Sequence, residues 1–135
     1  MKSIICLNII DNKKVIEIKN AHSEPITNFR HFLDKINERD IFLSISIKNS
    51  NIKLLNFSNM ECIANIENVY KNKYNTHYLL FACFLTNNNQ NFILTGGDGR
   101  TNFDKPPIKI FNFKGICLKD LDISDNIFLL ILIMI

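Results

Sequence analysis

The amino-acid sequence predicts an all-β protein built from short antiparallel strands, and three observations support this. Apolar runs of four to eight residues, some alternating with polar residues, are separated by turns rich in Asn, Asp and Gly. No segment shows a clear helical period. One pattern, Ile-x-apolar-bulky-Asn-apolar, occurs three times, at residues 4–9, 52–57 and 108–113. Repetition of this kind is typical of folds assembled from similar supersecondary units.

The predicted strands follow one another along the chain, each closed by polar turn residues. They cover residues 3–10, 15–18, 41–47, 52–57, 60–66, 78–85, 92–95, 108–113 and 116–121. Residues 26–33 fit either a strand or a short helical turn, because their apolar positions satisfy both periods. The segments 34–40, 67–77 and 96–107 are predicted to be loops, the last one because of its Gly and Pro content.

Size and composition restrict the classes of protein to consider. The 135 residues form one domain at most, and 47% hydrophobic with 21% charged residues is a globular composition. The net charge of +3 comes from scattered Lys and Arg, which does not indicate nucleic-acid binding. No apolar stretch reaches the roughly 20 residues that a membrane span needs. The N-terminus has no signal-peptide pattern, so we expect a cytoplasmic protein.

The four cysteines give no sign of a metal site. They lie at positions 6, 62, 83 and 117, without the close pairing that zinc ligands show, and we expect reduced thiols. No Ser/His/Asp or Cys/His set has a spacing that supports nucleophilic catalysis. We therefore expect neither a cofactor nor an enzymatic activity.

A second sequence feature, a histidine, recurs at a nearly constant distance before two copies of the repeated pattern. His22 is followed by apolar residues four and seven positions later, and His77 is followed by Phe at the same two intervals. His22 precedes Leu55 by 33 residues (22 to 55), and His77 precedes Phe111 by 34 (77 to 111). Two landmarks that shift together predict two equivalent units, beginning at His22 and His77.

These residues resemble the WD40 repeat family over most of the chain. In that family a Gly-His pair precedes four strands, the second strand carries Ser or Thr, and Trp-Asp ends the third. Ala21-His22 stands at the Gly-His position, and Leu55-Asn56 and Phe111-Asn112 stand at the Trp-Asp position, although the chain contains no Trp. The resemblance implies a structural, bracing role for six residues: His22, Ser44, Ser46, Leu55, His77 and Phe111.

The resemblance also implies a partial β-propeller. Its parts are a part-blade at 3–18, full four-stranded blades at 22–66 and 77–121, and a strand of a further blade at 127–135. Closed propellers take about 4–8 blades, more than this chain supplies. We therefore expect a fragment of a larger propeller, or copies that self-associate through open sheet edges.

The function that the resemblance implies is a non-enzymatic scaffold that binds other proteins. The chain reverses at each turn of a four-stranded blade, so the loops 67–77 and 96–107 are expected at the same edge. They carry aromatic and Arg side chains typical of interface hot spots. The residues predicted to contact a partner protein are Tyr70, Tyr74, Arg100 and Phe103.

Two alternatives remain open at this point. The first is a small-molecule-binding or enzymatic β domain that uses the loop from Gly96 to Pro107. That loop is glycine-rich, but it lacks the residue order of a phosphate-binding loop. The second is a truncated product without a function of its own.

Overall fold

The computed structural model describes residues 3–47, 50–70, 77–99 and 107–122. All regular structure in these ranges is β, so they contain no helix that could cross a membrane. The strands are β1 (Ile4–Asn8), β2 (Lys13–Ile18), β3 (Asn28–Asp34), β4 (Arg39–Ser46), β5 (Asn51–Asn56), β6 (Cys62–Ile66), β7 (His77–Asn87), β8 (Gln90–Gly99), β9 (Pro107–Asn112) and β10 (Cys117–Asp122).

The strands form three antiparallel sheets, which confirms the all-β prediction. Sheet A is the hairpin β1–β2, sheet B has the order β3-β4-β5-β6, and sheet C has the order β10-β9-β8-β7. Sheets B and C are therefore simple meanders in which each strand pairs with its neighbour in sequence. Residues 26–33, which fitted two periods, contribute a strand rather than a helical turn.

The longest predicted loop was placed wrongly. Strand β8 continues through Gly99, so the first four residues of the predicted loop 96–107 lie in a strand. The predicted turn around residues 86–91 is shorter than expected, with only Asn88 and Asn89 between β7 and β8. Both have positive φ, 48° and 59°, as in the two-residue turns that close right-twisted hairpins.

The main core lies between sheets B and C. In β4, Ile41, Leu43 and Ile45 are fully buried and share one face, because side chains alternate along a strand. They pack in one cluster with residues of both sheets, including Ile52, Leu54, Leu79, Ala82, Ile93 and Phe111. Burial of this apolar face provides the main stabilisation of the pair of sheets.

The other face of sheet B packs against sheet A. Phe42, which alternates with the core residues of β4, stacks on Phe29 and contacts Phe57 edge-on, with both centroid distances 4.9 Å. Together with Leu55 they line a small apolar cleft whose opposite wall is sheet A. The sheets therefore stack in the order A, B, C.

The three copies of the repeated pattern occupy the same place in the three sheets. They form β1, β5 and β9, each paired with the strand that follows. In each pair the register shifts at the same point of the pattern, so that one residue of the following strand is skipped. The skipped residues are Val15, Ile63 and Leu118.

The Asn of each copy closes the turn that follows. The Oδ1 atoms of Asn8, Asn56 and Asn112 accept hydrogen bonds from the backbone N–H two residues later, at 2.9, 3.0 and 3.0 Å. Each turn ends on a residue with positive φ, and these residues are Asn12, Met60 and Gly115. The repeat that the sequence predicted is thus repeated in backbone geometry.

Candidate functional site

His22 and Ser44 form a buried pair in the face of sheet B that looks toward sheet A. His22 lies in the segment before β3 and is 3% exposed, and its Nε2 is 2.8 Å from Ser44 Oγ. Burial, with a smaller contribution from the Lys53 ammonium, lowers the pKa of His22 to about 4. The imidazole is therefore neutral at pH 7. Its Nδ1 atom and Ser46 Oγ are buried without a hydrogen-bond partner.

Sheet C contains an equivalent pair made from different residues. Thr95 pairs with Lys109 across the ladder as Ser44 pairs with Lys53, so the two hydroxyls occupy matching positions. The Tyr70 hydroxyl lies 2.6 Å from Thr95 Oγ1, and the Lys109 ammonium is 5.6 Å from the centre of the Tyr70 ring. Burial raises the pKa of the Tyr70 phenol.

This geometry changes two of the predicted roles. His77 is the first residue of β7 and its backbone pairs with Gly99, so it does not occupy the place that His22 has before β3. Tyr70 occupies that place instead. Tyr70 was expected on an exposed, partner-binding edge, but it is only 4% exposed. Its side chain is therefore part of the packing and is not available to a partner.

The other predicted residues fall into two groups. Leu55 and Phe111 occupy matching positions and are 4% and 5% exposed, opposite Phe42 and Ile93 in the adjacent strands. Tyr74, Arg100 and Phe103 lie outside the described residues.

The two buried pairs, His22 with Ser44 and Tyr70 with Thr95, have a structural role. Both hydroxyls are fully buried, and neither ring side chain is more than 4% exposed, so a substrate has no access to them. Within the described parts of the chain, no three His, Cys, Asp or Glu side chains lie close enough to hold a metal ion. The pairs brace the segment before each sheet against the second strand of that sheet.

An open concave surface lies between the turns of sheets B and C, at the other end of their strands from the buried pairs. This amide-lined cleft is open and has a volume of about 410 Å³. Its walls carry five primary amides and three apolar side chains: Asn37, Asn89, Gln90, Asn91 and Asn112, with Ile36, Phe92 and Leu118. A primary amide both donates and accepts hydrogen bonds, which is what a peptide backbone requires.

A buried carboxylate holds two of the amides that line the cleft. Asp34 is 0% exposed and accepts hydrogen bonds from Asn91 Nδ2 at 2.7 Å, Asn37 Nδ2 at 2.8 Å and Arg39 Nη2 at 3.0 Å. Burial alone would raise the pKa of Asp34, but the hydrogen bonds from Asn37 and Arg39 outweigh it, so the pKa is lowered. The carboxylate thus holds one amide from each of two sheets.

Sequence reasoning missed both Asp34 and the cleft. Asp34 was assigned to a charged loop, whereas it ends β3 and points inward. The Asn-rich segment 86–91 was interpreted only as a polar turn. The available signal was an Asp followed three and five residues later by Asn and Arg, which is the spacing of its intrachain hydrogen bonds.

Comparison of the chain with protein-family models, with curated proteins and with solved structures gives no match. The site is therefore interpreted from its own geometry.

Proposed function

We propose that this chain is a non-enzymatic protein-interaction module of the WD40 type, part of a β-propeller, and that it binds extended peptide segments in the amide-lined cleft. The single observation that carries the proposal is the stack of like sheets. Each sheet contains the same bulged hairpin with the same Asn-closed turn, and each packs face to face on the next. A propeller is built from such a series of similar sheets.

The cleft supplies the interaction surface. It lies at the rim where the turns of two neighbouring sheets meet, so it rests on a rigid framework. Amides beside apolar side chains suit a partner that offers both backbone hydrogen bonds and hydrophobic groups. The cleft offers no nucleophile, and the Asp34 carboxylate beneath it is occupied by three hydrogen-bonded partners.

Peptide selection tests this function directly. Random peptides displayed on phage would be selected on the immobilised protein, and the binding of enriched peptides would be measured by fluorescence anisotropy. The double variant Gln90→Ala/Leu118→Asp should raise their dissociation constants at least about tenfold, because it removes an amide and an apolar wall. The matched control is Leu7→Asp, at a leucine of similar exposure in sheet A, which should leave binding unchanged.

Two results would overturn the proposal. One is that no peptide is enriched, or that enriched peptides bind the double variant as tightly as the wild type. The other is that binding survives in the double variant but is lost in Tyr74→Ala/Arg100→Ala. That second result would place the partner at the edge predicted from the sequence and would remove the cleft as the site.

A further inference from the structure

The apolar cleft between sheets A and B is a second concave surface, separate from the amide-lined cleft. Its volume is about 100 Å³. Strands β1 and β2 form one wall with isoleucines and Cys6, and three phenylalanines in or next to sheet B form part of the other. Among the described residues, every side chain that lines the cleft is apolar, apart from the weakly polar thiol of Cys6. The cleft therefore offers a bound molecule a contact surface but no strong hydrogen-bonding side chain.

The repeated sequence pattern explains why this space is unfilled. The third position of the pattern is Cys6 in β1, Leu54 in β5 and Ile110 in β9. Leu54 is 0% exposed and packs in the core between sheets B and C. A cysteine side chain has two fewer non-hydrogen atoms than a leucine or isoleucine side chain, and the packed interior of a protein leaves few voids of that size. The cleft thus lies beside the copy of the pattern that has the smallest residue at this position.

Two side chains connect the cleft with the surface of the protein. Phe29, which lines the cleft, is 38% exposed, and Met60, which also lines it, is half-buried. A methionine side chain is unbranched and flexible, so it adapts easily to a changing space. A small molecule can therefore enter here without the sheets coming apart.

The chemistry of the lining favours an apolar occupant over water. A buried water needs about two to four polar partners, whereas an apolar cavity of roughly 150 Å³ stays dry and binds benzene. The stack of Phe29 on Phe42 and the edge-on contact of Phe42 with Phe57 both have centroid distances of 4.9 Å. Aromatic rings prefer these two arrangements, so a further ring can join the group in the same geometry.

We propose that the apolar cleft binds a small uncharged aromatic molecule of about the size of benzene. One face of the ligand ring contacts the phenylalanine group, and the other contacts the isoleucines of sheet A. Binding provides the dispersion contacts that the short side chain of Cys6 leaves unmade. This inference does not depend on the proposed function, because the two clefts have no lining residue in common.

Benzene is the probe that tests this proposal, with the methyl groups of Ile4, Ile16 and Ile18 as reporters of its position. In isoleucine-methyl NMR spectra of the full chain, benzene should shift these three resonances saturably, because a bound ring alters the magnetic field around them. Cys6→Leu introduces the residue of the second copy and fills the cleft. It should weaken the binding of benzene at least about tenfold. Cys6→Ile, with the residue of the third copy, should have the same effect.

The matched control is Cys117→Leu, which makes the same change at an exposed residue of sheet C and should bind benzene like the wild type. Circular dichroism would establish which variants are folded, and one folded filling variant is sufficient. If neither filling variant folds, the methyl shifts of the wild type decide. The proposal is overturned if benzene leaves the three methyl resonances of the wild type unshifted. It is also overturned if a folded filling variant binds benzene as tightly as the wild type, or if Cys117→Leu weakens binding equally.

Discussion

At the scale of single residues, two sheets solve the same packing problem with different side chains. A ring side chain from the preceding segment is fixed by a buried hydroxyl, as His22 on Ser44 and as Tyr70 on Thr95. A lysine lies close to the ring in each case. The geometry is kept, but of the two ring side chains only the histidine can take up a proton and become charged as the pH falls.

The stability of the protein should therefore depend on pH through His22. Its lowered pKa, about 4, means that the folded state excludes a proton that the unfolded chain takes up near pH 6.5. The stabilisation is complete above about pH 6.5 and is lost as the pH falls toward 4, by about 3 kcal/mol. Urea unfolding at pH 7.0, 5.5 and 4.5 should show this decline in the wild type, and a shallower one in His22→Gln.

The matched control is His31→Gln, because His31 is a surface histidine paired with Asp40. This variant should keep the steep decline of the wild type. Equal slopes in His22→Gln and the wild type would show that the buried imidazole does not control acid stability.

Some of these bracing residues could be predicted from the sequence and one could not. His22 and Ser44 were predicted as bracing residues from the family pattern, and the structure brings them into contact. Tyr70 was not recognised, because an aromatic residue in a polar, lysine-containing segment has the composition of a binding loop. Its burial depends on the register of Thr95, which only the folded sheet reveals.

At the scale of the element, the β7–β8 hairpin depends on a glycine inside a strand. Gly96 pairs with Phe81 across the ladder, and a Cβ atom at position 96 would overlap the Phe81 ring. A glycine is needed here because an aromatic ring lies against the backbone, and not because the chain turns. Sequence reasoning took the adjacent glycines for a loop, since that is their commoner meaning.

We expect Gly96→Ala to destabilise the protein by about 2–3 kcal/mol, because the Phe81 ring must leave its position. The companion variants are Phe81→Leu and the double variant. If the clash with the ring is the cause, the double variant should cost clearly less than the sum of the two single changes. Thermal unfolding measures all three, and strict additivity would contradict the explanation.

At the scale of the whole molecule, Asp34 links sheets B and C, whose contact is mainly apolar packing. It ends a strand of sheet B and accepts a hydrogen bond from Asn91 in sheet C. Apolar burial is non-directional, so it fixes the distance between sheets better than their angle. A charge-assisted hydrogen bond at the rim adds orientation.

Removing this carboxylate should have two measurable effects. Asp34→Ala should cost about 2–3 kcal/mol, because Arg39 and the amides of Asn37 and Asn91 lose their shared buried acceptor. A double-mutant cycle with Asn91→Ala should give a coupling of about 1 kcal/mol across the two sheets. Because the pKa of Asp34 is lowered, its contribution is present above about pH 4 and is lost below that value. A coupling energy near zero would mean that the hydrogen bond between Asp34 and Asn91 does not stabilise the contact between the two sheets.

The architecture was the most predictable level. Strand alternation and the threefold pattern predicted nine of the ten strands in the described residues, because both signals are local, and left β3 open between a strand and a helical turn. The packing of a polar group between two sheets is not local. Asp34 and Asn91 are 57 residues apart, and nothing in either neighbourhood indicates the other.

In each Asn-closed turn, the residue two positions after the Asn contributes to the turn only through its backbone, so its side chain is not constrained by the turn. Ile10, Ser58 and Lys114 give only a backbone N–H to the turn, and their side chains are exposed. The three copies already differ completely in chemistry there: aliphatic, hydroxyl and cationic. Substitutions at these three positions can therefore change the chemistry of the exposed surface at this rim while the hydrogen bonds of the turns are kept. The binding preference of the rim can thus evolve separately from the fold.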